Sequence, residues 1–164
     1  MLVKYFSRIL FFVFLLAEMQ YATGFSTPTT DVYAALQSND TVKINAQLAA
    51  LEKSSLAQKD AYIGALTMKL SGLVNSGLKK LSLFKKGRIK LEQSIKLDSL
   101  NAEYRFLRLM IQENVPDFLN YHSKKEADAA MIRSAFRKLS PEVQEAIKSY
   151  SRKSHVLKPE DFQK

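Results

Sequence analysis

The sequence contains no cysteine in 164 residues. That excludes a disulfide framework, a thiol nucleophile, a Cys-ligated zinc or iron–sulfur site, and a lipid-modified cysteine. Histidine occurs twice, at His122 and His155, so one chain cannot build a multi-histidine metal site. Five glycines and four prolines are too few for collagen-like or proline-rich architectures. Catalytic signatures are missing too: there is no HExxH, no GxSxG, no P-loop and no glycine-rich dinucleotide turn. Asp98 and Glu103 flank a predicted helix start, where the positive end of the helix dipole is reason enough for carboxylates. Glu113, Asp117 and His122 surround Pro116, and they form a three-ligand set only if that turn folds back on itself. The expectation is a protein that is not an enzyme and carries no cofactor and no metal.

What is present points to one folded domain. Hydrophobic residues make up 46% and charged residues 25%, a globular balance that argues against a wholly disordered chain. Lys4 and Arg8 form a short positive segment, followed by an uninterrupted apolar run, ILFFVFLLA, over residues 9–17. Such a run fits a secretory signal and is shorter than the roughly 20 residues a transmembrane helix needs. Cleavage after Ala22 or after Ala17 places a small residue at the cut. Residues 1–22 are therefore read as a signal peptide, the alternative being an uncleaved N-terminal anchor. Their removal takes away Lys4, Arg8 and Glu18 and lowers the formal charge of +9 by one. The expected location is periplasmic or secreted. Residues 23–30, with Gly24 and Pro28, read as a flexible polar linker, residues 31–152 as the domain, and residues 153–164 as a basic flexible tail.

The domain reads as helices. Asp31 is placed to cap a short helix over residues 32–37, and residues 38–41 (SNDT) form a break rich in capping side chains. Apolar residues then recur at helical spacing through residues 42–51, 56–70 and 81–97. Gly72 and Gly77 weaken helix there, and a kink or close helix contact is expected near Gly72. Asn101 is a good cap for a helix over residues 102–113, which Pro116 ends. Residues 117–122 are expected to make a short helical turn. Ser123 is placed to cap the next helix, with Glu126 at the capping-box position. Ser140, Pro141 and Glu142 make a strong start for the last one. No segment alternates with period two between hairpin turns. The fold class is all-α, with antiparallel helical hairpins forming a bundle or a short solenoid.

Residues 91–103, LEQSIKLDSLNAE, resemble the junction between two tetratricopeptide repeats. In that register Ser71, Val74, Asn75 and Leu78 take the early positions of the repeat, and Gly87, Leu91 and Ser99 the late ones. Val74, Leu78, Gly87 and Leu91 keep the size pattern, whereas Ser71, Asn75 and Ser99 depart from it. The resemblance implies stacked helical hairpins and a protein-binding role. The whole chain also resembles exported helical proteins of Gram-negative bacteria, which implies an envelope location and no mechanism.

Two surfaces are candidates for binding. Tyr104, Arg105, Arg108 and Gln112 fall along one side of a predicted helix, and Arg and Tyr are favoured interface residues. This face is the first expectation: a scaffold that holds an envelope protein. Residues 79–90 carry Lys79, Lys80, Lys85, Lys86, Arg88 and Lys90 without one acid, interleaved with Leu81, Leu83, Phe84 and Ile89. Such a stretch suits an anionic membrane surface or polysaccharide. Export argues against nucleic acid as a physiological partner.

Overall fold

The computed structural model describes residues 27–163. The expected signal peptide and most of the expected linker, residues 1–26, lie outside the described residues, as does Lys164. Among the described residues there are seven α-helices and no strand, so the chain is all-α. They are α1 (Pro28–Gln37), α2 (Thr41–Glu52), α3 (Lys59–Leu73), α4 (Gly77–Leu97), α5 (Ala102–Gln112), α6 (Lys125–Ala135) and α7 (Pro141–Ser151). None is long and apolar enough to cross a membrane.

Capping side chains decide where most of these helices begin, because the first amides of a helix have no partner within it. Asp40 accepts from the amides of Val42 and Lys43, Ser76 from Lys79, Asn101 from Glu103 and Tyr104, and Ser140 from Val143. Two caps differ from expectation. Thr27, not Asp31, caps α1, accepting from Thr30, and Pro28 starts the helix. Residues 28–30 thus belong to the domain and not to a linker. Ser123 caps nothing, and α6 begins at Lys125 with no side-chain cap bond.

Helices α3 and α4 form an antiparallel hairpin whose crossing is set by glycine. A Cβ built on Gly87 would stand 2.6 Å from the carbonyl oxygen of Gly64 and 2.8 Å from the amide nitrogen of Met68. One on Gly64 would stand 2.7 Å from the amide nitrogen of Leu91. The backbones touch here because neither residue has a side chain. Gly72, where the close contact was expected, has open space around its Cβ position. Ser71, Val74, Asn75 and Leu78, aligned with the early repeat positions, straddle the break between α3 and α4.

Helix α5 is the centre of the molecule. Every residue of it except Arg105 is buried, and it packs on α3, α4, α6 and α7. Helix α1 packs against α2, α3 and α7, so the first helix described meets the last. The core gathers Val32, Ile44, Leu66, Leu91, Phe106, Leu109, Ile132 and Ile147, all fully buried.

The expected flexible tail is instead packed. Leu157 is fully buried and Phe162 nearly so, its ring 4.7 Å from that of Phe136. Ser154 Oγ and the His155 amide donate to the Glu113 carboxylate, and Arg133 Nε donates to Asp161 at 2.8 Å. Two apolar side chains in this largely polar segment, Leu157 and Phe162, reach the core.

Candidate functional site

The Asn101 cap sets the phase of α5, and spacings of three and four put Arg105, Arg108 and Gln112 on one stripe. That stripe is covered. Arg108 is 4% exposed and Gln112 2%, and Tyr104 is buried as well. Arg108 donates through Nε and Nη2 to both carboxylate oxygens of Asp128, each at 2.7 Å, and through Nη1 to Glu92 at 2.9 Å. Burial works against the Arg108 charge, but the Asp128 hydrogen bonds and the neighbouring carboxylates outweigh it and hold its pKa above the ordinary value. Tyr121 donates to the other oxygen of Glu92. Arg105 donates to the Ser99 carbonyl at 2.7 Å and lies 3.6 Å from Asp128. The expected binding face is therefore largely covered, its two arginines drawn into an ion-pair network between α4, α5 and α6, and it is not a surface open to a partner. The deciding residue is Asp128, on the next helix, which a single-helix pattern does not reveal.

Glu103, which the sequence explains as a helix-start carboxylate, has a second role that the sequence did not reveal. Its Oε1 accepts from Tyr33 Oη at 3.0 Å and Tyr62 Oη at 2.5 Å. Burial raises its pKa, and the two tyrosines offset part of that rise. Nothing local marks this cluster, because its donors lie 70 and 41 residues away along the chain.

The three possible ligands around Pro116 do not converge. His122 Nε2 is 3.3 Å from Asp117, but Glu113 is turned toward Ser154 and His155. Among the described residues no three potential ligands form a metal-holding group.

The basic stretch lies on α4. Lys79, Lys80, Lys85, Lys86 and Arg88 are exposed. Lys90 pairs with Asp60 at 2.7 Å, and Arg88 lies 4.8 Å from the ring centroid of Tyr121. Phe84 and Gly87 turn inward to meet the rest of the fold, whereas Leu78, Leu81 and Ile89 point out and are exposed among the cations.

Beside the first turns of α4 opens a cleft of about 760 Å³, within the range of roughly 300–1,000 Å³ that small-molecule sites occupy. Its walls are the ends of α1 and α3, the start of α4, the end of α5, the turn at Asp117–Leu119, and the end of α7 with the Lys153 that follows it. Pro116 closes α5 and Asn120 turns the chain with φ 47°. Met68, Leu73, Leu81, Phe84, Met110, Ile111, Val115 and Leu119 line the cleft, and Phe118, 78% exposed, stands at its lip. Its three charged residues, Lys69, Lys80 and Lys153, are all cations, and no carboxylate lines it. Among the described residues none of the three makes an ion pair. Lys69 donates to Asn39 at 3.0 Å and Lys153 lies 5.2 Å from the Tyr150 ring centroid. Burial lowers the Lys69 pKa, and the charge of Lys153 lowers it further. An anion placed between these lysines would relieve both effects.

The fold and cleft together define an all-α protein with an apolar, cation-lined cleft beside a basic helix. Comparison with protein-family models, with curated proteins and with solved structures finds no match to this chain.

Proposed function

We propose that this is an exported, non-catalytic binding module that attaches to anionic lipid surfaces through the exposed face of residues 78–89 on α4. The observation that supports this reading is the joint exposure of Lys79, Lys85 and Lys86 with Leu78, Leu81 and Ile89 on one helix. Lysines alone suit any polyanion. Large apolar side chains among them suit a lipid interface, where they enter the acyl boundary while the ammonium groups meet headgroups. The mode is attachment without spanning.

The experiment is flotation of the full chain with anionic and with neutral phosphatidylcholine vesicles, at low and high salt. Attachment to anionic vesicles that fades with salt is the expected result, because exposed charges are screened. Changing Lys79, Lys85 and Lys86 together to Gln is expected to weaken it about a hundredfold, at about 1 kcal/mol per surface lysine. Equal attachment to neutral vesicles, or indifference to salt, overturns the proposal. Retention on an anionic polysaccharide without vesicle attachment assigns the same cations to a sugar polymer instead.

A further inference from the structure

We infer that the cleft beside α4 is a binding site for one single-chain anionic lipid, a long-chain fatty acid whose acyl chain fills the cleft and whose carboxylate meets Lys69, Lys80 and Lys153. This deepens the lipid-surface reading, and it rests on that reading for the class of ligand.

The argument is charge complementarity in an apolar setting. The cleft combines a largely apolar wall with three lysines and no acid. A neutral lipid gains only from the apolar wall and a cationic ligand is repelled by the lysines, so a single-chain anion alone uses both parts of the combination. Lys69 and Lys153 repel one another, and Lys69 is already partly withdrawn from water. A carboxylate between them replaces a repulsion by two attractions, while the methylenes behind it leave water against Met68, Phe84 and Ile111. A single chain suits the available volume of about 760 Å³. The exposed Leu81 and Phe118 at the mouth give the chain an apolar path from a membrane surface into the cleft.

The test runs in solution, without vesicles, so that it stands apart from membrane attachment. Hexadecanoate and hexadecanol are titrated separately, below their aggregation limits, against a fluorescent acyl probe bound to the full chain. The acid is expected to displace the probe at least tenfold better than the alcohol. Affinity for shorter acids is expected to fall about fourfold per methylene removed, the value of a buried CH₂. A variant with Lys69→Met, Lys80→Met and Lys153→Met is expected to lose the preference for the acid while keeping its affinity for the alcohol. Unchanged binding of the alcohol shows that this variant is folded and its cleft intact. The variant with Lys79, Lys85 and Lys86 changed to Gln is expected to bind hexadecanoate as the wild type does. If that variant loses vesicle attachment and keeps the fatty acid, the two sites are separate and both readings stand.

Equal affinity for acid and alcohol, or no displacement by either, overturns the inference. So does a concentration-dependent dimer that Leu81→Glu disrupts and hexadecanoate does not, which gives the cleft to a second copy of the chain. Fatty-acid binding without any vesicle attachment refutes the surface reading alone.

Discussion

Glu103 accepts hydrogen bonds from Tyr33 and Tyr62, which join α1, α3 and α5 at one buried oxygen. Burial lifts its pKa above the ordinary carboxylate value, so the folded protein holds this proton to higher pH than the unfolded chain does. Its contribution to stability is complete below the ordinary carboxylate range and is lost as pH rises through the raised value. Glu103→Gln removes the titration and keeps an oxygen that accepts from both tyrosines. The difference in thermal unfolding between the two proteins is expected to shift in favour of the variant as pH rises through that window. A constant difference would locate the pH dependence elsewhere. The pair Arg108–Asp128 behaves differently, because both partners are charged and buried. Arg108→Met leaves Asp128 without its bidentate partner and is expected to cost about 3–5 kcal/mol. Adding Asp128→Leu is expected to recover most of that loss, which urea unfolding of the single and double variants measures.

At the scale of elements, two glycines of the α3–α4 hairpin respond in opposite senses to the same change. Gly87→Ala drives a methyl group against the carbonyl of Gly64 and the amide of Met68. Backbone cannot rotate away as a side chain can, so the helices must part, at about 1–3 kcal/mol of overpacking. That exceeds the gain of at most about 1 kcal/mol that alanine brings to a helix. Gly72→Ala meets open space and is expected to stabilise by about 0.4–1 kcal/mol, through lower entropy of the unfolded chain. Urea midpoints moving down for Gly87→Ala and up for Gly72→Ala are the expected pair of results. The parting of α3 from α4 also displaces Phe84, which lines the cleft, so the Gly87 variant is expected to bind acyl ligands more weakly.

At the scale of the whole molecule, the segment after α7 closes the fold. Leu157 and Phe162 join the hydrophobic core, Phe162 against Phe136 just after α6, and Glu113 beside the end of α5 anchors the stretch of chain that carries Ser154 and His155. Leu157→Ala is expected to lower global stability by about 2–5 kcal/mol, with a single unfolding transition retained. A change confined to local hydrogen exchange, with the urea midpoint unmoved, would mean that the segment docks independently of the core. The same segment supplies Lys153 to the cleft. Its packing therefore sets the charge of the candidate ligand site as well as the stability of the domain.

The all-α class and most helix boundaries were legible in the sequence, because caps and breaks act over three or four residues. Asp40, Asn101 and Ser140 satisfy orphan amides of their own helices whatever else the chain does. The acid-free run of cations on α4 was legible for the same reason, being a property of consecutive residues. Which faces are covered was not legible. Arg108 and Gln112 carry the composition of an interface, and only the arrival of α6 with Asp128 makes them interior. Gly87 and Gly72 are equivalent as breaks in a helical pattern, and only the crossing of two backbones separates them. The packed C-terminal segment hid behind its basic composition, and the cleft is a gap between elements from both ends of the domain that no one of them encodes. Local hydrogen bonding and periodicity belong to the sequence itself. Burial, ion pairing and cavity shape are sums over residues distant in the chain, and the tertiary structure alone decides them.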